Sequence, residues 1–264
     1  MLEEKLTLAI SSCEKFSDLW ENHIEILNES WPDREIDTFL ITDRETNRRF
    51  DNIEVISAGE GKEYPQRMAE VIQHIKTEYV LITLDDYFPI KKIYNEKLYR
   101  LLKIMDRESI DYIRLFPNPD SHRKFKSYRK LYEIPLNINY AVNLYQGIWR
   151  KSFIEKTLGE TQTIWKYEVS LTPRAREIGA KCVLSKGKEF EILDVIRKGK
   201  ILHKAKRWLR RHGKELPKRE TISYREELRI KIFSTGKKIL PHKLAIAVKK
   251  RLGKRGFVFF SDSV

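Results

Sequence analysis

YVLITLDDYF, residues 79–88, is an uncharged apolar run that stops on two carboxylates and two aromatic rings. Val80, Ile82 and Thr83 are β-branched, and no polar alternation breaks the run, so it reads as a strand covered on both faces. A strand of that kind belongs to the middle of a mainly parallel sheet. In open α/β sheets ligands collect at the carboxyl ends of the strands, so Asp85 and Asp86 stand where chemistry is expected.

The flanks support the same architecture. Upstream, Met68, Val71, Ile72 and Ile75 recur at helical spacing within 65–76 and lead straight into the run. Further back, LTLAI (6–10) reads as a strand ending in Ser11-Ser12, 16–27 as a helix, DTFLIT (37–42) as a strand closing at Asp43, and 53–56 as a short strand. Downstream the pattern predicts a helix over 95–105 and a strand over 111–115. A loop or lid is expected over 117–135 and a strand over 139–145. Short helices follow over 151–158 and 172–179, with an extended piece at 182–184. Strands alternating with helices predict an α/β, Rossmann-like domain over 1–195.

Charge divides the chain at the same place. Of the net +14, residues 196–264 contribute +17, from 22 Lys and Arg against 5 Asp and Glu, which leaves −3 on residues 1–195. The expectation is a catalytic domain followed by a basic, mostly helical extension. No apolar run approaches the roughly 20 residues of a membrane span. The opening residues lack the succession of basic, apolar and small residues that marks an export signal. Cys13 and Cys182 are too few and too far apart for a disulfide framework. These features predict a protein of the cytoplasm.

A pair of carboxylates at a strand end suits Mg²⁺ or Mn²⁺, which take hard oxygen ligands and bridge protein to diphosphate. The same Asp pair also suits a turn or helix cap. A second cluster comprises YQGIW (145–149) and IWKYE (164–168). Rings stack on the apolar faces of sugars while amides and carboxylates bind their hydroxyls, so Gln146, Trp149 and Trp165 are candidates for an acceptor pocket. Glu168 is the candidate general base, taking the proton of an attacking hydroxyl in an inverting transfer. The bland alternative makes both tryptophans core residues and Glu168 a helix cap.

TLAISS (7–12), TFLITD (38–43), EYVLITLDDYF (78–88) and IWKYE together resemble the GT-A glycosyltransferases, especially bacterial transferases that build lipopolysaccharide and capsule. The resemblance covers about residues 5–195. It implies that Ser11, Ser12 and Asp43 touch the nucleoside of a nucleotide-sugar donor, that Asp85 and Asp86 hold the metal and diphosphate, and that Arg67 lies beside the donor. His203 becomes a candidate late ligand for metal or diphosphate, with Lys198 and Lys200 as candidate phosphate contacts. The adjacent DD departs from the DxD spacing of the family. A saccharide or polyprenyl-linked acceptor is implied.

Beyond 195, Arg207, Trp208, Arg210 and Arg211 mix cations with a ring, and Leu240, Leu244, Ala247, Val248 and Leu252 form an apolar stripe flanked by cations. This is the pattern of a segment lying on an anionic membrane, here the inner face of the cell membrane. An oligomer contact and a solvated helix fit the same residues. A non-catalytic protein binding nucleic acid or membrane through the tail is the alternative whole-chain reading, but it leaves Asp85, Asp86 and Glu168 without a role. A nucleotidyltransferase would need a Gly-rich phosphate loop after the first strand, and SSCEKFSD has none.

Overall fold

A computed structural model describes residues 1–159 and 162–230. The chain divides into two compact units, Met1–Asp194 and Val195–Val264.

The first unit is built on an eight-stranded, mostly parallel sheet. Its strands are β1 (Leu6–Ser11), β2 (Thr38–Thr42), β3 (Glu54–Ser57), β4 (Tyr79–Leu84), β6 (Tyr112–Arg114), β7 (Leu131–Glu133), β8 (Gly147–Arg150) and β9 (Cys182–Ser185), in the order β3-β2-β1-β4-β8-β6-β9-β7. β3, β2, β1 and β4 run parallel, as do β6 and β9. β8 is antiparallel to both β4 and β6. Two short strands, β5 (Tyr87–Pro89) and β10 (Ile192–Asp194), pair outside this sheet.

The double burial predicted for residues 79–84 arises because successive side chains of β4 face two different cores. Tyr79 and Leu81 join Leu6, Leu8 and Ile10 beneath α1 (Trp20–Ser30) and α3 (Asn95–Glu108). Val80 and Ile82 join Ala9, Phe39 and Ile41 beneath α2 (Tyr64–His74), α4 (Lys151–Thr157) and α5 (Ile164–Glu177). α2 starts where it does because Glu63 and Gln66 form a reciprocal capping box and Pro65 lies in its first turn.

Three elements differ from expectation. The strand sought at 139–145 lies instead at Gly147–Arg150, and the preceding segment is irregular, with Tyr140 at φ 58°. The buried polar groups of Asn143 explain this, since they bind loop backbone and leave no strand ladder for these residues. The helix expected from 172 begins at Ile164, capped by Thr163, and carries Pro173 inside it, so a proline that reads as a boundary is internal. Within the expected 117–135 loop, Leu131–Glu133 forms the edge strand β7 against β9.

The second unit contains the hairpin β11 (Ile196–Arg197) and β12 (Lys200–Ile201), α6 (His203–Arg211) and a helical stretch at 224–230. Among the described residues no helix is long and apolar enough to cross a membrane. The apolar stripe at 240–252 lies outside the described residues.

Because Leu81 is fully buried in the core it shares with Leu8, Leu98 and Leu102, Leu81→Ala is expected to cost about 2–5 kcal/mol through lost burial and the cavity left behind. Urea denaturation followed by fluorescence measures it.

Candidate active site

One edge of the sheet collects the polar residues. Ser11 sits opposite Leu84 and Ile41, Thr42 opposite Ser57, and Gly147 between Ile82 and Arg114. The carboxyl ends of β1, β2, β4 and β6 and the amino end of β8 therefore form a single row. Backbone bonds carry the row one residue further, from Asp85 N to Ser11 O (3.2 Å), Ser12 N to Ile41 O (2.9 Å) and Leu115 N to Gln146 O (3.0 Å).

At the β1–β2–β4 end of the row, Ser12, Asp43, Arg67 and Asp85 come together. Trp20 Nε1 donates to Ser12 Oγ at 2.6 Å, and that hydroxyl donates to Asp85 Oδ2. His23 Nδ1 is 2.9 Å from the Asp85 carbonyl oxygen. Arg67, in the first turn of α2, donates from Nη1 to Ser12 O at 2.9 Å, while its buried Nε has no hydrogen-bond partner. Asp43 Oδ1 accepts from Glu14 N at 2.7 Å, which fixes the start of the 3-10 turn Glu14–Leu19. Cys13 lies among these charges. Burial, then Asp85 and Asp43, push its thiol above the usual range, and Arg67 opposes them.

The two aspartates are thus unequal. Asp85 is 6% exposed and engaged by Ser12, whereas Asp86 is half-buried. Among the described residues no three His, Cys, Asp or Glu side chains gather into a metal site. Asp85 spends one oxygen on Ser12, which leaves both aspartates as the candidates for metal and diphosphate. A half-buried carboxylate at a strand end still fits Mg²⁺ or Mn²⁺, which commonly take one or two carboxylates and complete their shell with phosphate and water.

At the β8 end, Glu168 on α5 accepts Leu144 N at its Oε1 (3.0 Å). Burial raises its carboxyl pKa, and the Leu144 N–H partly offsets the rise. Tyr64 lies at the start of α2, its ring centroid 5.2 Å from that of Tyr167. Its phenol is pushed well above its ordinary value by burial, with both Arg67 and Glu168 close enough to act on it. Trp165 is 55% exposed in the first turn of α5.

Two acceptor candidates are corrected. Trp149 is 1% exposed and packs between Tyr112 and Phe153, with ring centroids at 4.3 and 5.6 Å. Gln146 is fully buried and donates to Phe190 O at 3.3 Å. Strand alternation accounts for Trp149, since β8 is an interior strand and its side chains enter the two cores. His203 belongs to the second unit, where its Nδ1 lies 2.6 Å from Glu227 Oε2 and its ring stacks on Tyr224 at 3.9 Å. Nδ1 is therefore committed to a carboxylate. Lys200 lies 3.8 Å from Glu226, and Lys198 sits at φ 50° in the β11–β12 turn. Trp20, His23 and Cys13 escaped sequence reasoning. Trp20 and His23 sit on a helix face that reads as ordinary core, and only the meeting of α1 with β4 brings them to the site.

The mostly parallel eight-stranded sheet with helices on both faces is a Rossmann-like α/β fold of the GT-A kind. No protein-family model and no curated sequence matches the chain. The S. aureus TarS 1–349 structure in complex with UDP-GlcNAc is similar at TM-score 0.52 and 15% identity, over 75% of this chain and 60% of that one. Another structure of S. aureus TarS 1–349 is similar at TM-score 0.50 and 13% identity, over 70% and 59%. A mannosyltransferase, PcManGT from Pyrobaculum calidifontis in complex with GDP-Man and Mn²⁺, is similar at TM-score 0.49 and 11% identity, over 74% and 58%. The chain thus spans about three fifths of the length of these proteins.

His23 gives a stability test. Its burial holds the imidazole neutral and lowers its pKa from 6.5 to about 4. The unfolded chain therefore binds a proton between these values that the folded chain refuses, and stability falls as pH drops through that window. The full loss is about 3 kcal/mol, from the shift in pKa. Unfolding free energies measured from pH 7 to 4 are expected to fall more steeply for the wild-type chain than for His23→Gln.

Proposed function

We propose that this chain is a nucleotide-sugar-dependent glycosyltransferase whose donor lies over the ends of β1, β2 and β4 and whose acceptor approaches from the end of β8. The observation that carries this reading is the single row of strand ends, with Ser12, Asp43, Arg67, Asp85 and Asp86 at one side and the Glu168 carboxylate beyond Leu144 at the other. Likeness in fold to TarS, solved with UDP-GlcNAc, makes UDP and UDP-GlcNAc the first donors to test.

The reaction proposed is an inverting displacement. An acceptor hydroxyl attacks the anomeric carbon, its proton passes to Glu168, and the bond from that carbon to the diphosphate oxygen breaks on the opposite face. Glu168 suits the base because the Leu144 N–H holds one oxygen in place and burial raises its proton affinity. Arg67 supplies positive charge toward the departing diphosphate. A Mg²⁺ or Mn²⁺ ion held by Asp86 would add Lewis-acid stabilisation of that group. Asp85 is assigned the task of holding Ser12, Asp43 and Ser11 that of meeting the nucleoside, and Trp165 that of an exposed face for the acceptor.

A saccharide or lipid-linked acceptor in bacterial surface polysaccharide synthesis, met at the inner face of the membrane, completes the proposal. Supporting it, Lys204, Arg207 and Arg211 occupy the exposed side of α6, opposite buried Ala205 and Leu209, and no acidic partner faces them among the described residues. Each cation near an anionic leaflet adds roughly 1 kcal/mol. Co-flotation with phosphatidylglycerol vesicles at low salt, reduced by Lys204→Glu/Arg207→Glu/Arg211→Glu, is the expected result. A shift of RNA or DNA without flotation would instead favour the nucleic-acid reading.

The donor assignment is tested by thermal shift with UDP, GDP, dTDP and CMP, with and without Mn²⁺. Asp86→Ala is expected to remove the metal-dependent part of the shift, and a full shift in that variant sinks the metal assignment. Glu168→Gln is expected to lower the transfer rate about 10²- to 10⁴-fold with little change in nucleotide binding. Because protonation disables a carboxylate base, activity should fall with decreasing pH through the raised Glu168 pKa. That acid limb should lie above the value of about 4.3 for an unperturbed Glu.

A further inference from the structure

Burial of Trp149 and Gln146 leaves Trp165 as the exposed member of the sequence-derived acceptor lining, yet the same strand ends present other rings. β6 and β8 leave the sheet side by side, and Leu115 N bonds Gln146 O, so Phe116 and Tyr145 emerge together at the functional edge. Tyr145 lies between two rings, 5.7 Å from Tyr87, the residue that follows Asp86, and 4.6 Å from Phe116. Phe116 and Tyr145 are half-exposed, unlike the fully buried rings of the core. Glu168 binds the backbone N–H of Leu144, one residue from Tyr145.

We propose that Phe116 and the edge of Tyr145 form the face on which a saccharide acceptor packs, with its attacking hydroxyl turned toward Glu168. The proposal rests on the transferase reading and supplies the residues that would receive its acceptor. Sugar rings carry an apolar C–H face that packs on aromatic rings. A simple alcohol would leave such a face uncovered.

The face is also preorganised. Arg114 is 1% exposed and donates to Ala141 O (2.6 Å), Phe116 O (2.9 Å) and Pro119 O, tying together the two loops that carry the rings. Asn143 repeats the tie, donating to Asn118 O (3.1 Å) and Tyr140 O (2.9 Å) and accepting from Tyr145 N (3.2 Å). No carboxylate forms an ion pair with Arg114 among the described residues, and burying such a cation is costly. Its three carbonyl contacts hold a loop geometry that no apolar side chain would maintain.

Saturation-transfer NMR on the UDP-loaded full chain tests this, using methyl β-glucoside, methyl β-galactoside and methyl β-N-acetylglucosaminide as probes. At least one glycoside is expected to receive saturation on its ring protons and to bind about tenfold more weakly to Phe116→Ala, as the loss of one ring contact allows. Phe116→Leu, which keeps apolar bulk without a ring face, is expected to show the same weakening, and a retained UDP thermal shift reports that both variants are folded. Equal glycoside binding by wild type and either folded variant overturns the proposal. So does the absence of glycoside binding by a wild-type chain that binds UDP, an outcome that leaves the donor reading standing. Failure of every nucleotide to shift the wild-type chain removes the transferase reading itself.

Discussion

The hydrogen bond from Ser12 Oγ to Asp85 Oδ2 joins the first strand to the central one at the point where both leave the sheet. It can form only because β1 and β4 are parallel and in register, with Ser11 opposite Leu84. Trp20 completes it from α1, and Arg67 reaches the Ser12 carbonyl from α2. Helices from both faces of the sheet therefore converge on one serine. A buried carboxylate needs such partners, since an unpaired charge in that position would cost several kcal/mol. Asp86, one residue later, is half-buried.

The other half of the row depends on a different device. β8 enters the sheet antiparallel, so its amino end, not its carboxyl end, reaches the functional edge. The loop before it has no ladder to fix its path, and the buried Arg114 and Asn143 side chains supply that order through backbone carbonyls. Glu168 adds a third anchor at Leu144. The carboxylate proposed as base thereby also fixes the loop that carries Tyr145.

The second unit obeys a different rule. Among its described residues, Glu227 is engaged by His203 and Glu226 lies beside Lys200. The exposed side of α6 keeps its positive charge as a result, and a surface of one sign attracts polyanions whatever else the protein does.

Much of the fold was legible from the residues. The apolar run at 79–84, the helical spacing of Met68, Val71 and Ile72, and the split of charge near residue 195 are local patterns, and local patterns follow from the periods of helix and strand. The acidic strand end was legible for the same reason. What the residues alone did not disclose is which polar and aromatic groups reach the edge. Trp149 and Gln146 look like ligand-binding residues in sequence, but Trp149 packs between Tyr112 and Phe153 and Gln146 is buried against the Phe190 carbonyl. Phe116, Tyr145, Trp20 and His23 gain their positions only when segments distant in sequence pack together. Side-chain exposure is decided by those long-range pairings, and a linear pattern does not encode them.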